Sequence, residues 1–70
     1  MCYVIYKQTT EGTQEAVCWL IDKDTAKWFA DLIEEKDNTD VAVVPYRTAD
    51  AIRQRITYFE KVLDIYAPEQ

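Results

Sequence analysis

Apolar residues fall along this chain in stretches with two different periods, and each period predicts a kind of element. Cys2–Gln8 (CYVIYKQ) and residues 15–21 (EAVCWLI) are short and rich in aromatic and β-branched side chains, as strands are. Between them, Thr10-Glu11-Gly12-Thr13 contains the only glycine of the chain. Gly12 suits the left-handed position of a three-residue hairpin loop with a bulge. With Thr9 closed on Thr13, opposite residue numbers sum to 22: Lys7 faces Glu15, Ile5 faces Val17 and Tyr3 faces Trp19. One opposite-charge pair and two apolar pairs favour this register over the two-residue loop, whose sum is 23.

The period then lengthens. Ala26, Phe29, Ala30 and Ile33, widened by Trp28 and Leu32, follow helical spacing. Asp22 or Asp24 caps this helix, which runs to about Lys36, with Asn38 a candidate left-handed stop. Residues 41–44 predict a short third strand, and Pro45 favours placing its end at the sheet margin. Thr48 is the expected cap of a last, long helix. Its stripe is Ile52, Ile56, Phe59, Leu63 and Tyr66, flanked by Tyr58, Val62 and Ile65, with Pro68 beyond its end. About two heptads are too few for a coiled coil, so the stripe reads as core packing. The expected fold class is therefore α+β: a small ββαβα domain with an N-terminal β-hairpin, a three-stranded mixed sheet and two helices packed on one face.

Side chains alternate across a strand, so the sheet has two faces to cover. In the preferred register one face carries Tyr3, Ile5, Val17, Trp19 and Ile21. The other carries Val4, Tyr6, Ala16, Cys18 and Leu20. Neither is polar away from the hairpin tip. Two helices on the bulkier Trp19 face leave the other apolar, and contiguous exposed apolar patches mark interaction surfaces. Helices split between the faces would leave no such patch.

Length sharpens the need for a partner. Seventy residues make one domain, 1–70, with a core marginal for its size. Disulfides, metals and oligomerisation are the usual supports. Cys2 and Cys18, the only cysteines, lie diagonally in the sum-22 register, roughly 7–8 Å apart, or on opposite faces in the sum-23 register. Neither arrangement allows a bridge, and a reducing, cytoplasmic setting follows as the expectation. With no histidine, no Cys-x-x-Cys pair and no calcium-loop pattern, no metal or cofactor is expected. Apolar runs such as residues 16–21 are too short for a membrane span, and the N-terminus has no signal-peptide pattern.

Candidate chemistry adds little. Cys2 follows Met1 and could become an N-terminal thiol nucleophile, but no histidine can serve as its base. A strand-start cysteine packing as a small hydrophobe is the simpler reading. There is no phosphate loop, nucleophile elbow or metal-binding helix pair, so a non-enzymatic role is expected. Net charge is −5, with seven acids and three lysines over residues 22–40, which disfavours direct nucleic-acid binding. Arg47, Arg53 and Arg55 form a small group suited to helix-surface solvation or pairing with Asp50.

The expected function is protein association through an apolar sheet face or edge, as a homodimer or in a heteromeric complex. Candidate contact residues are Val4, Tyr6, Cys18 and Leu20 on the sheet, and Trp28 and Tyr46 as aromatic anchors. The alternative is an inhibitor or regulator that docks the acidic residues Asp31, Glu34, Glu35 and Asp37 on a basic, nucleic-acid-binding protein. In size and charge alone the chain resembles small acidic proteins of mobile elements, including anti-CRISPR proteins.

Overall fold

The computed structural model describes residues 1–66, so Pro68 lies outside the described residues. Strands β1 (Cys2–Gln8) and β2 (Gln14–Leu20) form the hairpin. The Thr9 N–H donates to the Thr13 carbonyl at 2.8 Å, and Gly12 takes a φ of 87° that a side chain would resist. Near the tip the pairs Lys7–Glu15 and Tyr6–Ala16 sum to 22. From Ile5–Cys18 onward, through Val4–Trp19 and Tyr3–Leu20, they sum to 23. Both registers thus occur in one hairpin, separated by a bulge that takes up Val17.

The bulge decides which side chains share a face. Val17 and Cys18 both pack on the side of Ile5, as two bulged residues opposing one partner do. Every later residue of β2 is displaced to the other face. Leu20 joins Ile5, whereas Trp19 joins Cys2, Val4 and Tyr6. This corrects the expected faces, in which Trp19 stood with Ile5 while Cys18 and Leu20 stood with Val4.

Helix α1 (Lys23–Asp37) starts where the Asp22 carboxylate accepts from the Thr25 N–H at 2.8 Å and its hydroxyl at 2.6 Å. It stops at Asn38, which is left-handed with φ 53°. Ala26, Phe29, Ala30 and Ile33 are its buried residues. Strand β3 (Val41–Tyr46) then pairs antiparallel with β1, giving the order β2-β1-β3. The expected mixed sheet is corrected to an antiparallel one. Strands β2 and β3 run parallel to each other, but β1 lies between them and opposes both.

The last helical stretch departs most from expectation. It is two helices, α2 (Thr48–Arg53) and α3 (Phe59–Tyr66), separated by a turn with Arg55 at φ 60°. Thr48 is the first helical residue; the cap position belongs to Arg47, which makes no side-chain capping bond. The break lets the chain change sides of the sheet. Ala51 of α2 is buried with Cys2 and Val4, and Ile56 packs there too. Val62 of α3 is buried with Ile5, Phe29 and Ile33, beside Phe59 and Leu63. A straight helix could not reach both faces, so the two helices are not both on one face. Between them, the Thr57 carbonyl accepts from the Trp19 N–H at 3.0 Å on the outer edge of β2. The Tyr58 and Trp19 rings meet there, with centroids 4.8 Å apart.

Ile33→Val removes one fully buried methylene and should cost about 1 kcal/mol in urea denaturation, whereas Ile52→Val, on an exposed side chain, should change stability by less than about 0.5 kcal/mol. Arg55→Gly relieves a left-handed non-glycine residue and should leave stability unchanged or raise it by up to about 1 kcal/mol in the same measurement.

Candidate functional site

At the hairpin end of the molecule three elements converge on one carboxylate. The Tyr66 hydroxyl of α3 donates to Asp37 Oδ2 at 2.6 Å, and Lys7 Nζ of β1 donates to the same oxygen at 3.1 Å. The Tyr66 hydroxyl, with help from Lys7, holds the Asp37 carboxyl below the usual aspartate value. Hydrogen bonding to Asp37 holds the Lys7 ammonium above the usual lysine value. Burial, then Asp37, raises the Tyr66 phenol. All three shifts favour the charge states present at neutral pH, so none is poised to exchange a proton there. The cluster is a latch joining β1, α1 and α3, at the wall of a polar groove of about 640 Å³.

Neither cysteine offers a reactive thiol at the surface. Cys2 and Cys18 are free, fully buried and in separate apolar clusters on opposite faces of the sheet. Burial raises the Cys18 thiol to about 12. Among the described residues no group of three or more Cys, Asp or Glu is placed to hold a metal ion. No helix among them is long and apolar enough to cross a membrane.

The candidate contact residues separate by burial. Val4, Cys18 and Leu20 are interior and present no surface. Tyr6 and Tyr46 are partly buried beside Ala51 and Trp19, and the Tyr46 hydroxyl accepts from Gln54 Nε2 at 2.8 Å. Burial, then hydrogen bonding to Tyr46, raises the Tyr6 phenol. Trp28 is half exposed, stacked on Phe29 at 6.0 Å. Asp31, Glu34 and Glu35 are exposed on α1, while Asp37 is engaged by Lys7 and Tyr66. The face of the sheet expected to stand open is therefore partly covered by α2 and Ile56, because the helices divide between faces.

What stays open is an edge. Strand β2 is flanked by residues 57–58, but β3 pairs only with β1 among the described residues. The Gln8 N–H donates to the Asp40 carbonyl at 3.0 Å, so Gln8–Asp40 is a bonded pair. Bonded pairs recur every second residue in an antiparallel ladder, at Tyr6–Ala42, Val4–Val44 and Cys2–Tyr46. The backbone groups of Val41, Val43 and Pro45 therefore point away from β1. Pro45, with no N–H to give, occupies a position where β1 asks for none.

Beside that edge lies a groove of about 570 Å³ between β3 and α1. Tyr3, Val41, Val43 and Pro45 line its strand side; Lys23, Lys27, Asp31 and Glu34 line its helix side. Pro45 had marked the sheet margin in the sequence, but Val41, Val43 and the two lysines carried no signal of a shared groove. No family model, curated protein or solved structure matches this chain.

The latch predicts a pH window. The depressed Asp37 value contributes stability present above the unfolded value near 4 and lost as pH falls through the folded value. The raised Lys7 value contributes stability present below about 10.4 and lost as pH rises through the folded value. Asp37→Asn should flatten the acid side of a stability–pH curve and cost at most about 1 kcal/mol at neutral pH, the pair being partly solvated. Cys18 should resist alkylation at neutral pH in the folded protein and react once urea unfolds it, as followed by mass spectrometry.

Proposed function

We propose that this chain is a non-catalytic association module whose β3 edge accepts an extended polypeptide strand. The observation that carries the reading is the outward-facing backbone of Val41, Val43 and Pro45 beside an apolar-floored groove. An added strand gains main-chain hydrogen bonds from the edge and seats alternate side chains in the groove. The latch supports the same reading, since its groups are held in fixed charge states rather than tuned for proton transfer. An apolar edge is ordinarily a liability in a small domain, and occupation by a partner is one way of removing it.

A second reading is that α1 docks on a basic protein partner. The observation in its favour is that Asp31, Glu34 and Glu35 are exposed and make no ion pair with another described residue. Binding to such a partner should then weaken on neutralising these three residues and at high salt.

The edge reading is tested with a random-peptide display library selected against the immobilised protein. Selected peptides should alternate apolar residues, shift the Val41 and Val43 amides first in an NMR titration, and lose at least tenfold in affinity against Val43→Pro. That substitution removes an outward N–H and no β1–β3 hydrogen bond, so the ladder should survive, and circular dichroism checks that the altered side chain against the core leaves the fold intact. Peptides that bind Val43→Pro as tightly as the unaltered protein would reject the edge as the site.

A further inference from the structure

We propose that the occupant of the β3 edge is a second copy of this chain, paired antiparallel about Val43 with the two α1 helices side by side across the dyad. The proposal rests on the strand-accepting reading of that edge and adds the partner and its orientation.

The charge order along α1 is unusual for an isolated helix. Lys23, Lys27, Asp31 and Glu34 lie on one helical stripe, with Ala30 between them, along the groove wall. The stripe is basic toward the start of the helix and acidic toward its end. Taken alone, that order is unfavourable, because the helix dipole prefers acids at the start and bases at the end. Lysine four residues before an acid, as in Lys27 and Asp31, is also the weaker orientation of an ion pair. None of the four makes an ion pair with another described residue. The stripe therefore does little for its own helix.

A two-fold axis gives the same stripe a use. Helix α1 lies over β1 and β3, so it borders the open edge, whereas α3 lies over β2. In an antiparallel β3–β3 pair the Val41 end of one copy meets the Pro45 end of the other. The helices then also run antiparallel, which brings Lys23 and Lys27 of each copy toward Asp31 and Glu34 of the other. An isologous contact must complement itself, and this stripe does so only in the antiparallel arrangement. A parallel pairing would carry the two α1 helices to opposite faces of the joined sheet, where the stripes could not meet.

The backbone is compatible with that axis. Centred on Val43, the two Val43 residues exchange N–H and carbonyl groups, and each Val41 N–H reaches the carbonyl of Pro45 in the second copy. Proline at position 45 thus keeps the acceptor that this pairing uses and lacks only a donor. The two three-stranded sheets become one of six strands, and both exposed β3 edges disappear.

Sedimentation equilibrium on the full chain, from micromolar to millimolar concentration, tests the proposal. The unaltered protein should approach twice the monomer mass as concentration rises, with at least tenfold weaker association in Val43→Pro. Two charge-reversed proteins, Lys23→Glu with Lys27→Glu and Asp31→Lys with Glu34→Lys, should each associate at least tenfold more weakly alone. Their equimolar mixture should recover association as a one-to-one heterodimer, since the acidic stripe then faces the basic one. Both reversals follow the helix dipole, so neither should unfold α1, and circular dichroism checks this.

An unaltered protein that stays monomeric at millimolar concentration overturns the second copy as occupant; peptide binding at the edge would then stand or fall by its own selection. A dimer indifferent to Val43→Pro places self-association elsewhere and overturns the proposal. A dimer that needs Val43 but is unmoved by either reversal, or not recovered by mixing, overturns the antiparallel arrangement.

Discussion

Strand β1 is apolar on both faces and pairs on both edges, and the rest of the molecule is arranged around it. Ile5 faces one cluster and Cys2 and Val4 the other, all fully buried. Covering only one side would leave a central strand with an uncovered apolar face, which a chain of 70 residues could stabilise poorly. The chain meets this constraint with two devices. A bulge in β2 moves Cys18 and Leu20 to the Ile5 side and Trp19 to the Val4 side. A break after α2 then lets one helical stretch serve both sides.

These devices depend on each other. Because Trp19 is turned toward the Val4 side, its backbone N–H remains available to residue 57 at the edge of β2. That contact, with the Trp19–Tyr58 ring pair, holds the segment on which the chain crosses from α2 to α3. The crossing delivers Phe59 to Phe29, at 6.2 Å, and Tyr66 to both Phe29 and Asp37. The latch at the hairpin end and the break near Arg55 are consequences of one route taken by the chain. That route covers one edge of the sheet and, among the described residues, leaves the other, β3, without a partner strand.

The proposed function lies at that edge. The surplus of apolar strand surface first pointed to a partner on a sheet face, but much of that face is taken up internally. The surplus leaves its mark at the edge strand, where Val41 and Val43 border a groove whose other wall is the charge stripe of α1, contrary to the helix dipole. Each has a physical use when a second strand is added.

Much of the local structure was legible in residue order alone. Gly12 set the hairpin loop, Asp22 and Asn38 bounded α1, and period-two and period-three-to-four stretches separated strands from helices. Those are short-range effects, decided by a residue's own φ preference or a side chain reaching three positions along. What the sequence could not decide was which register each half of the hairpin would take, where β1 would insert, and whether residues 48–66 were one helix or two. All three turn on competition between distant surfaces. The stripe from Ile52 to Tyr66 satisfies a single helix, and only the presence of two apolar sheet faces makes breaking it favourable. The open edge follows from that outcome, because which strand edge lacks a partner among the described residues is settled only once the whole sheet and its covering helices are in place.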